Sequence, residues 1–456
     1  MKKDTSKWDN LERIQALQIK TEKMNTISSS FCAAKWLQTT LYLQNGYNHS
    51  CHHPTPHKIP IDEVKNNSSA LHNSAYKKEQ REKMIKGERP EECSYCWNIE
   101  DLGENYYSDR HTKTADYWAW DKVDDIKNSQ EDVYPTYLEV SFSNACNFAC
   151  AYCSPEISSK WLKDIKKNGE YPIEFGHNLD YLKSVGKLPY ATDEQNPYVD
   201  AFWDWFPDAY KHLKVFRMTG GEPTMSKDFW KTLDFIKNNP RSDLEISINT
   251  NLGTPPDLIE RLIQYSKELD KSCKECQIYT SCESHGKQTE YVRDGMNYDY
   301  WKSNITKILD TTDCRVNIMT TINVLSLPSF VEFLKDMIEF RKKYDNKNYA
   351  HRTPISFNYL RFPPHLHTNI LSKKIREQYS KRILDYVMQW HRDVTPDPNV
   401  KFYLEEINQV KRFCDYLSRE ETNEKYREQF KIFIDEYDKR RNKNFKQTFP
   451  EYENVI

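Results

Sequence analysis

Hydrophobic positions between about residues 135 and 365 follow two alternating rhythms. Short runs rich in β-branched and aromatic residues, TYLEVSFS, VFRMT, LEISINT, CQIYTS, VNIMTTINV and ISFNYL, predict six strands. Amphipathic stretches such as SKDFWKTLDFIKNN and PSFVEFLKDMIEFRKKY separate several of them and predict helices with one apolar face. Six βα-like units imply an α/β fold with a parallel sheet and helices outside, either an open sheet or a partial barrel. A longer insert, about 167 to 213, interrupts the first crossover and contains AFWDWFPDAYKHL, an aromatic cluster read as helix packing rather than substrate contact.

The periodicity fades on both sides of this core. From about 10 to 130 the chain is rich in Asn and His and turn-prone through NGYNHSCHHPTPHKIP, so this small irregular segment needs an external staple. Beyond about 366 the pattern is helical and strongly charged, as in YREQFKIFIDEYDKRRNKNF, the mark of solvated helix faces. The expected organisation is an N-terminal metal-binding domain over 10–130, a core over 135–365 and C-terminal helices over 366–456.

Charge and cysteine usage narrow the function classes. Lys plus Arg number 66 against 68 Asp plus Glu, so no global positive field draws the chain onto nucleic acid, and a nucleic-acid partner is disfavoured. The opening MKKDTSKWDNLERIQ lacks the apolar stretch of a secretory signal, and no later run is long enough to span a bilayer. The expectation is a cytoplasmic protein without membrane association. In that reducing compartment twelve cysteines are mostly thiols, and tight Cys spacing points to metal or redox chemistry.

SNACNFACAYCSP gathers Cys146, Cys150 and Cys153 directly after the first predicted strand, on the strand-end edge where α/β active sites form. Three thiolates can hold three irons of a 4Fe-4S cluster and leave the fourth iron open to another molecule. The alternative is a zinc site completed by a distant Cys or His. The next strand ends in VFRMTGGEPTM, where Gly220 and Gly221 allow close backbone approach, Glu222 offers a carboxylate to an ammonium group, and Pro223 follows. Alone, that motif is equally an ordinary strand-ending turn.

Together, the CxxxCxΦC pattern, with Tyr152 at the aromatic position, and GGEP resemble the radical S-adenosylmethionine (SAM) superfamily over about 135 to 365. The resemblance implies a partial (β/α)6 barrel whose open iron binds the amino and carboxylate groups of SAM. It implies reductive cleavage of SAM to a 5'-deoxyadenosyl radical and hydrogen abstraction from a substrate. It also implies a reducing protein partner such as a flavodoxin or ferredoxin. Within IYTSCESHGKQTEYVRDG it assigns Ser281 and Arg293 to the SAM carboxylate, and in SINTN it assigns Asn249 and Asn251 to the ribose. Asn at a strand end is also a common turn residue.

Upstream, FCAAKWLQTTLYLQNGYNHSC and CSYCWNIEDLGENYYSDR place Cys32, Cys51, Cys93 and Cys96 in a pattern that resembles an auxiliary-cluster module, SPASM or its shorter relative twitch, here N-terminal to the core. The resemblance implies a second, fully ligated 4Fe-4S cluster; a structural zinc with the same thiolates is the alternative. His49, His52 and His53 lie beside Cys51 and are read as loop surface, with ligand replacement as the other reading. Cys273, Cys276 and Cys282 also carry a metal-like spacing, but Cys282 sits in a predicted strand with its side chain turned away from Ser281, so the trio is read as packing thiols. Cys314 and Cys414 are isolated and read as small buried hydrophobes.

The resulting functional expectation is a radical SAM enzyme acting on a peptide or protein, the substrate class coming from the SPASM and twitch resemblance. Modification of RNA or a small molecule is the alternative reaction, and a non-catalytic, metal-stapled binding protein the alternative class.

Overall fold

Eleven strands and a set of amphipathic helices build the described chain, a computed structural model covering residues 10–103, 106–127, 131–191, 194–345, 351–453 and 455. The last residues of the expected N-terminal domain, 128–130, and Glu104 and Asn105 of the CSYC stretch lie outside the described residues. In chain order the strands are β1 (Gln38–Tyr42), β2 (Tyr47–His49), β3 (His57–Lys58), β4 (Tyr137–Ser141), β5 (Ala149–Cys150) and β6 (Val215–Thr219). They continue as β7 (Glu245–Asn249), β8 (Glu275–Ser281), β9 (Arg293–Asp294), β10 (Arg315–Met319) and β11 (Ile355–Ser356). Each of the six strands read from hydrophobic pattern is present, and the fold is mixed α/β with a parallel sheet typical of a radical SAM partial barrel, extended at both ends of the chain.

The chain divides into two compact units. One comprises the chain up to Ser143 with Tyr190–Met218 and Asp243–Glu245. In it β1 pairs parallel with β4, Thr40 opposite Glu139, and antiparallel with β2, which pairs with β3. The β1–β2 hairpin turns at Gly46, whose φ of 68° suits glycine. A Cβ there would lie 2.1 Å from the Tyr198 ring, so the turn also needs the missing side chain to let that tyrosine seat. All of AFWDWFPDAYKHL but its last three residues falls in the helix Pro197–Tyr210, capped by Asn196, and buries Phe202 and Phe206 as a stacked pair with centroids 4.7 Å apart. A core including Phe31, Trp36, Met84, Trp97, Trp118 and Ile126 organises the segment that the sequence leaves without periodicity. The pattern was hidden because β1 buries Gln38, Thr39 and Thr40, polar residues in a fully packed strand.

The second unit comprises Asn144–Pro189, Thr219–Ser242 and Ile246–Ile456. Here β8 alternates half-buried and buried positions along its whole length, and β10 pairs parallel with both β8 and β11. The helix Lys227–Asn238 buries Phe229, Trp230, Leu233 and Ile236, the three- and four-residue spacing of one apolar stripe. VNIMTTINV stops short as a strand at Met319, because Asn323 caps the 3-10 turn Val324–Ser329 through its side-chain oxygen, which accepts from Leu325 N at 2.9 Å.

The C-terminal helices are tied to this unit by a buried ion pair. Arg341, with no exposed surface, places two guanidinium nitrogens 2.6 and 2.9 Å from the Glu406 carboxylate. The same carboxylate accepts from Ile355 N at the start of β11, at 2.8 Å, and from Tyr403 N at 2.9 Å. Burial alone would raise Glu406, but the Arg341 charge and hydrogen bonds from His351 and Arg341 outweigh it and hold the carboxyl down at about 2. The folded value lies below the unfolded one of about 4.3, so this contribution, roughly 3 kcal/mol, is present above that pH and is lost as pH falls toward 2. Glu406→Gln is expected to lower stability at pH 7 by about 3–5 kcal/mol, because it leaves the Arg341 charge buried and unpaired. Chemical denaturation across pH 2–7 checks this, with the gap between variant and wild type narrowing toward the acid end.

Candidate functional site

The three cysteines after β4 sit in a loop of the second unit that is held by hydrogen bonds from within that unit. Asn144 O accepts from Ser159 N at 2.7 Å, Cys146 N donates to Ser159 Oγ at 3.1 Å, and Ser158 Oγ donates to Phe148 O at 2.9 Å. Cys150 lies in β5, which pairs antiparallel with β9 so that Cys150 stands opposite Arg293. Its carbonyl accepts from the buried Trp161 indole at 2.8 Å and from Cys153 N at 2.9 Å. From the C-terminal helix Glu424–Arg441, Tyr437 Oη donates to Tyr291 O at 3.1 Å, with Ala149 O at 3.4 Å.

GGEP clamps this loop from the other side. Gly220 has a φ of 138°, and a Cβ on Gly221 would lie 2.5 Å from Ala145 O and 2.8 Å from Asn144 O. The glycine therefore brings the turn onto the cysteine loop backbone. Glu222 N then donates to Ala145 O at 2.6 Å, and Pro223 opens a short 3-10 turn, Pro223–Met225.

The Glu222 side chain is 1% exposed and turned inward. Its Oε1 accepts from Thr224 N, Thr224 Oγ1 and Thr250 Oγ1 at 3.1, 2.6 and 3.0 Å, and its Oε2 from Asn251 N at 2.6 Å. Burial pushes the carboxyl above its ordinary value, and these donors oppose that shift. The ammonium-receiving role read from the sequence thus meets a carboxylate already holding four protein donors.

The remaining SAM-contact residues are distributed around the same loop. Asn251 Nδ2 donates to Asn147 Oδ1 at 2.8 Å, and Asn147 Nδ2 to Gly253 O at 2.8 Å, so Asn251 is tied to the residue beside Cys146. Asn249 Nδ2 donates to Thr219 Oγ1 at 3.4 Å, and Ser281 ends β8 half-buried. Arg293, 5% exposed, grips Glu283 through Nε at 3.1 Å and Nη2 at 2.5 Å. Its Nη1 lies 3.9 Å from Cys150 Sγ, and its guanidinium lies 5.5 Å from the Tyr152 ring centre. Tyr152 Oη donates to Glu283 at 3.2 Å. The fork assigned to the SAM carboxylate is therefore engaged by a carboxylate of this chain, a partner ten residues away that the sequence reading did not identify.

Burial pushes the Cys146 thiol up to about 12 and the Cys150 thiol up to about 11, where Arg293 opposes the shift. Cys153 is pushed well up by burial and by the charges of Cys150 and Cys146. Left to themselves these thiols stay protonated near neutral pH, and metal binding there releases protons.

In the first unit, Cys32, Cys51, Cys93 and Cys96 line one pocket. Cys93 closes the turn Glu91–Cys93 and Cys96 lies in the helix Ser94–Glu100, three residues on and hence on the same side. Lys35, Met84, Trp97 and Arg110 complete much of the wall. His53 also lines it, with Nε2 2.7 Å from Asp109 Oδ2 and its ring stacked on Tyr95. His49 is buried with Nε2 3.2 Å from Tyr42 Oη, and the His52 side chain is about half exposed. Among the described residues, no three His, Cys, Asp or Glu side chains meet the spacing of a single bound metal ion. Four soft donors lining one pocket are a donor set that suits a fully ligated iron–sulfur cluster or a zinc ion, as three soft donors on the hydrogen-bonded loop suit a partly ligated cluster.

The other cysteines take packing positions. Cys282 Sγ contacts Ser284 O at 3.3 Å and Thr289 Oγ1 at 3.5 Å, Cys276 lies beside Cys314, and Cys414 is buried.

Residues 140–337 match the model of the Radical SAM superfamily. GTP 3',8-cyclase of Yersinia pestis is 33% identical over 104 residues, 23% of each chain, and that of Klebsiella pneumoniae subsp. pneumoniae is 31% identical over 115 residues, 25% of this chain and 26% of the relative. The chain thus spans only about a quarter of these curated relatives. The solved structure of Streptococcus suis SuiB bound to S-adenosylmethionine superposes with a TM-score of 0.31 at 16% identity, over 78% of this chain and 68% of that one. The cysteine loop and the GGEP clamp both lie inside the segment, residues 140–337, that is similar to the radical SAM superfamily.

Proposed function

We propose that the chain is a two-cluster radical SAM enzyme that abstracts hydrogen from a peptide or protein. Cys146, Cys150 and Cys153 would hold the first cluster, and Cys32, Cys51, Cys93 and Cys96 the second. When bound with S-adenosylmethionine, the first cluster supplies reductive cleavage of the sulfonium and hydrogen abstraction from the substrate. This chain's residues fix the thiols and shield them. GGEP and Ser158–Ser159 set the loop backbone, Trp161 and Tyr437 brace Cys150 and Ala149, and the Arg293–Glu283 pair places positive charge beside one sulfur. The observation that carries the two-cluster reading is that all four upstream cysteines line one cavity. The peptide class is supported by the resemblance of the upstream cysteine pattern to SPASM and twitch modules.

A nucleotide substrate is the second reading, favoured by the GTP 3',8-cyclase relatives. Incubating the reconstituted protein and S-adenosylmethionine with GTP, and separately co-expressing it with peptides, separates the two by product mass. A binding protein without catalysis would cleave no S-adenosylmethionine in either arm.

Anaerobic reconstitution is expected to give about eight irons per chain, falling to about four in Cys93→Ala and, with loss of S-adenosylmethionine cleavage, to about four in Cys150→Ala. Iron analysis and 5'-deoxyadenosine release check this; four irons in the wild type contradict the two-cluster reading. Gly221→Ala, which drives a methyl into Ala145 O, is expected to lower iron at the first site and slow cleavage at least tenfold while leaving the circular dichroism spectrum unchanged. Wild-type cleavage in that variant refutes the clamp.

A further inference from the structure

Two buried cations face the cavity lined by Cys32, Cys51, Cys93 and Cys96. Lys35 and Arg110 are each 3% exposed and both form part of its wall. Each is anchored by a carboxylate. Lys35 Nζ contacts Glu92, which also accepts from Tyr76 Oη at 3.0 Å. Arg110 holds Glu100 through Nε at 2.9 Å and Nη2 at 2.8 Å, and donates from Nη1 to Phe31 O at 2.9 Å. Neither Glu92 nor Glu100 is among the residues that line the cavity. The remaining charged residues on the wall, Asp109, Lys113 and His53, form their own group, with Asp109 3.4 Å from Lys113 and 2.7 Å from His53. In each pair the cation borders the cavity and the carboxylate lies outside its lining.

A buried ion pair is weak evidence of stabilisation, since well-packed apolar residues of similar volume often serve as well. Placed with one end toward a redox group, such a pair has a definite electrostatic effect. Reduction of an iron–sulfur centre adds negative charge, and a cation held in a poorly screened setting favours that state, so the potential rises with net positive charge nearby. We propose that Lys35 and Arg110 raise the reduction potential of the N-terminal centre, biasing it to accept rather than donate electrons. This deepens the proposed function, because it rests on the four cysteines holding a redox-active cluster.

The test is a potentiometric titration of the reconstituted full-length protein, followed by electron paramagnetic resonance. The Cys150→Ala background is run in parallel so that the N-terminal signal is read alone. Lys35→Met is expected to weaken reduction about tenfold, a shift of about 59 mV downward for one electron. Glu92→Gln, which leaves the ammonium without its counter-charge, is expected to shift the potential upward, and Lys35→Arg to restore the wild-type value. A packing defect would not move the two charge variants in opposite directions. Iron retained with no shift, or with both variants shifting the same way, overturns the inference while leaving the cluster assignment intact. If Lys35→Met fails to load iron, Glu92→Gln decides alone: an upward shift supports the inference and an unchanged or lowered potential overturns it. A wild-type protein with no second signal and about four irons removes the cluster assignment itself.

Discussion

The Glu222 carboxylate is the constraint on which the first site depends. A carboxylate removed from water must find donors inside the protein, and here Thr224, Thr250 and Asn251 supply them. Those donors come from the turn after β6 and the turn after β7. Fixing them fixes Gly221 and Glu222 N against Ala145 O, immediately before Cys146. Asn251, whose amide N–H serves Glu222, uses its side chain to hold Asn147 on the other flank of that cysteine. The cysteine loop is therefore positioned by a network centred on a buried carboxylate with buried Thr224 and Thr250 among its donors, which makes loss of one donor costly to the rest.

Charge is arranged by a common logic in the two cysteine sites, one in each unit. Arg293 is bound on two nitrogens by Glu283 and turns its third toward Cys150. Lys35 and Arg110 are bound by Glu92 and Glu100 and border a cavity that those carboxylates do not line. In each case the carboxylate allows the cation to remain buried, and the cation rather than the carboxylate borders the sulfur or its cavity. An Arg fork already occupied by Glu283 also changes the reading of Arg293. It must share or release a bidentate partner before it binds another carboxylate, whereas a purely electrostatic role at Cys150 needs no rearrangement.

Features carried by local spacing were legible in the chain. The alternation in CQIYTS, the apolar stripe of KDFWKTLDFIKN and the close cysteines each depend on neighbours a few residues apart, and the structure reproduces their elements. Features made by distant pairs were not. Trp161 serving Cys150, Tyr437 bonding near Ala149 and Glu406 fixing β11 leave no periodic trace, because each links segments separated widely in sequence. The β1 strand failed for another reason: Gln38, Thr39 and Thr40 are buried polar residues, and hydropathy alone reads such a run as surface. Arg110 was visible at the end of the CSYC stretch, but without a fold nothing distinguished it from the solvated charges around it.

The N-terminal segment also changes what its cysteines need to do. A weakly patterned segment invites the idea of metal as a staple, yet Phe31, Trp36, Trp97 and Trp118 belong to a core of large buried side chains around Cys93 and Cys96. Burial of an aromatic side chain contributes on the order of 2–3 kcal/mol, so four of them already supply much of what a small segment requires. Two buried cations beside the cavity would be a poor choice if the thiols served only to crosslink, since apolar residues would pack that wall at lower desolvation cost. Their placement fits thiols that carry charge, as thiolates holding a metal ion or a cluster do.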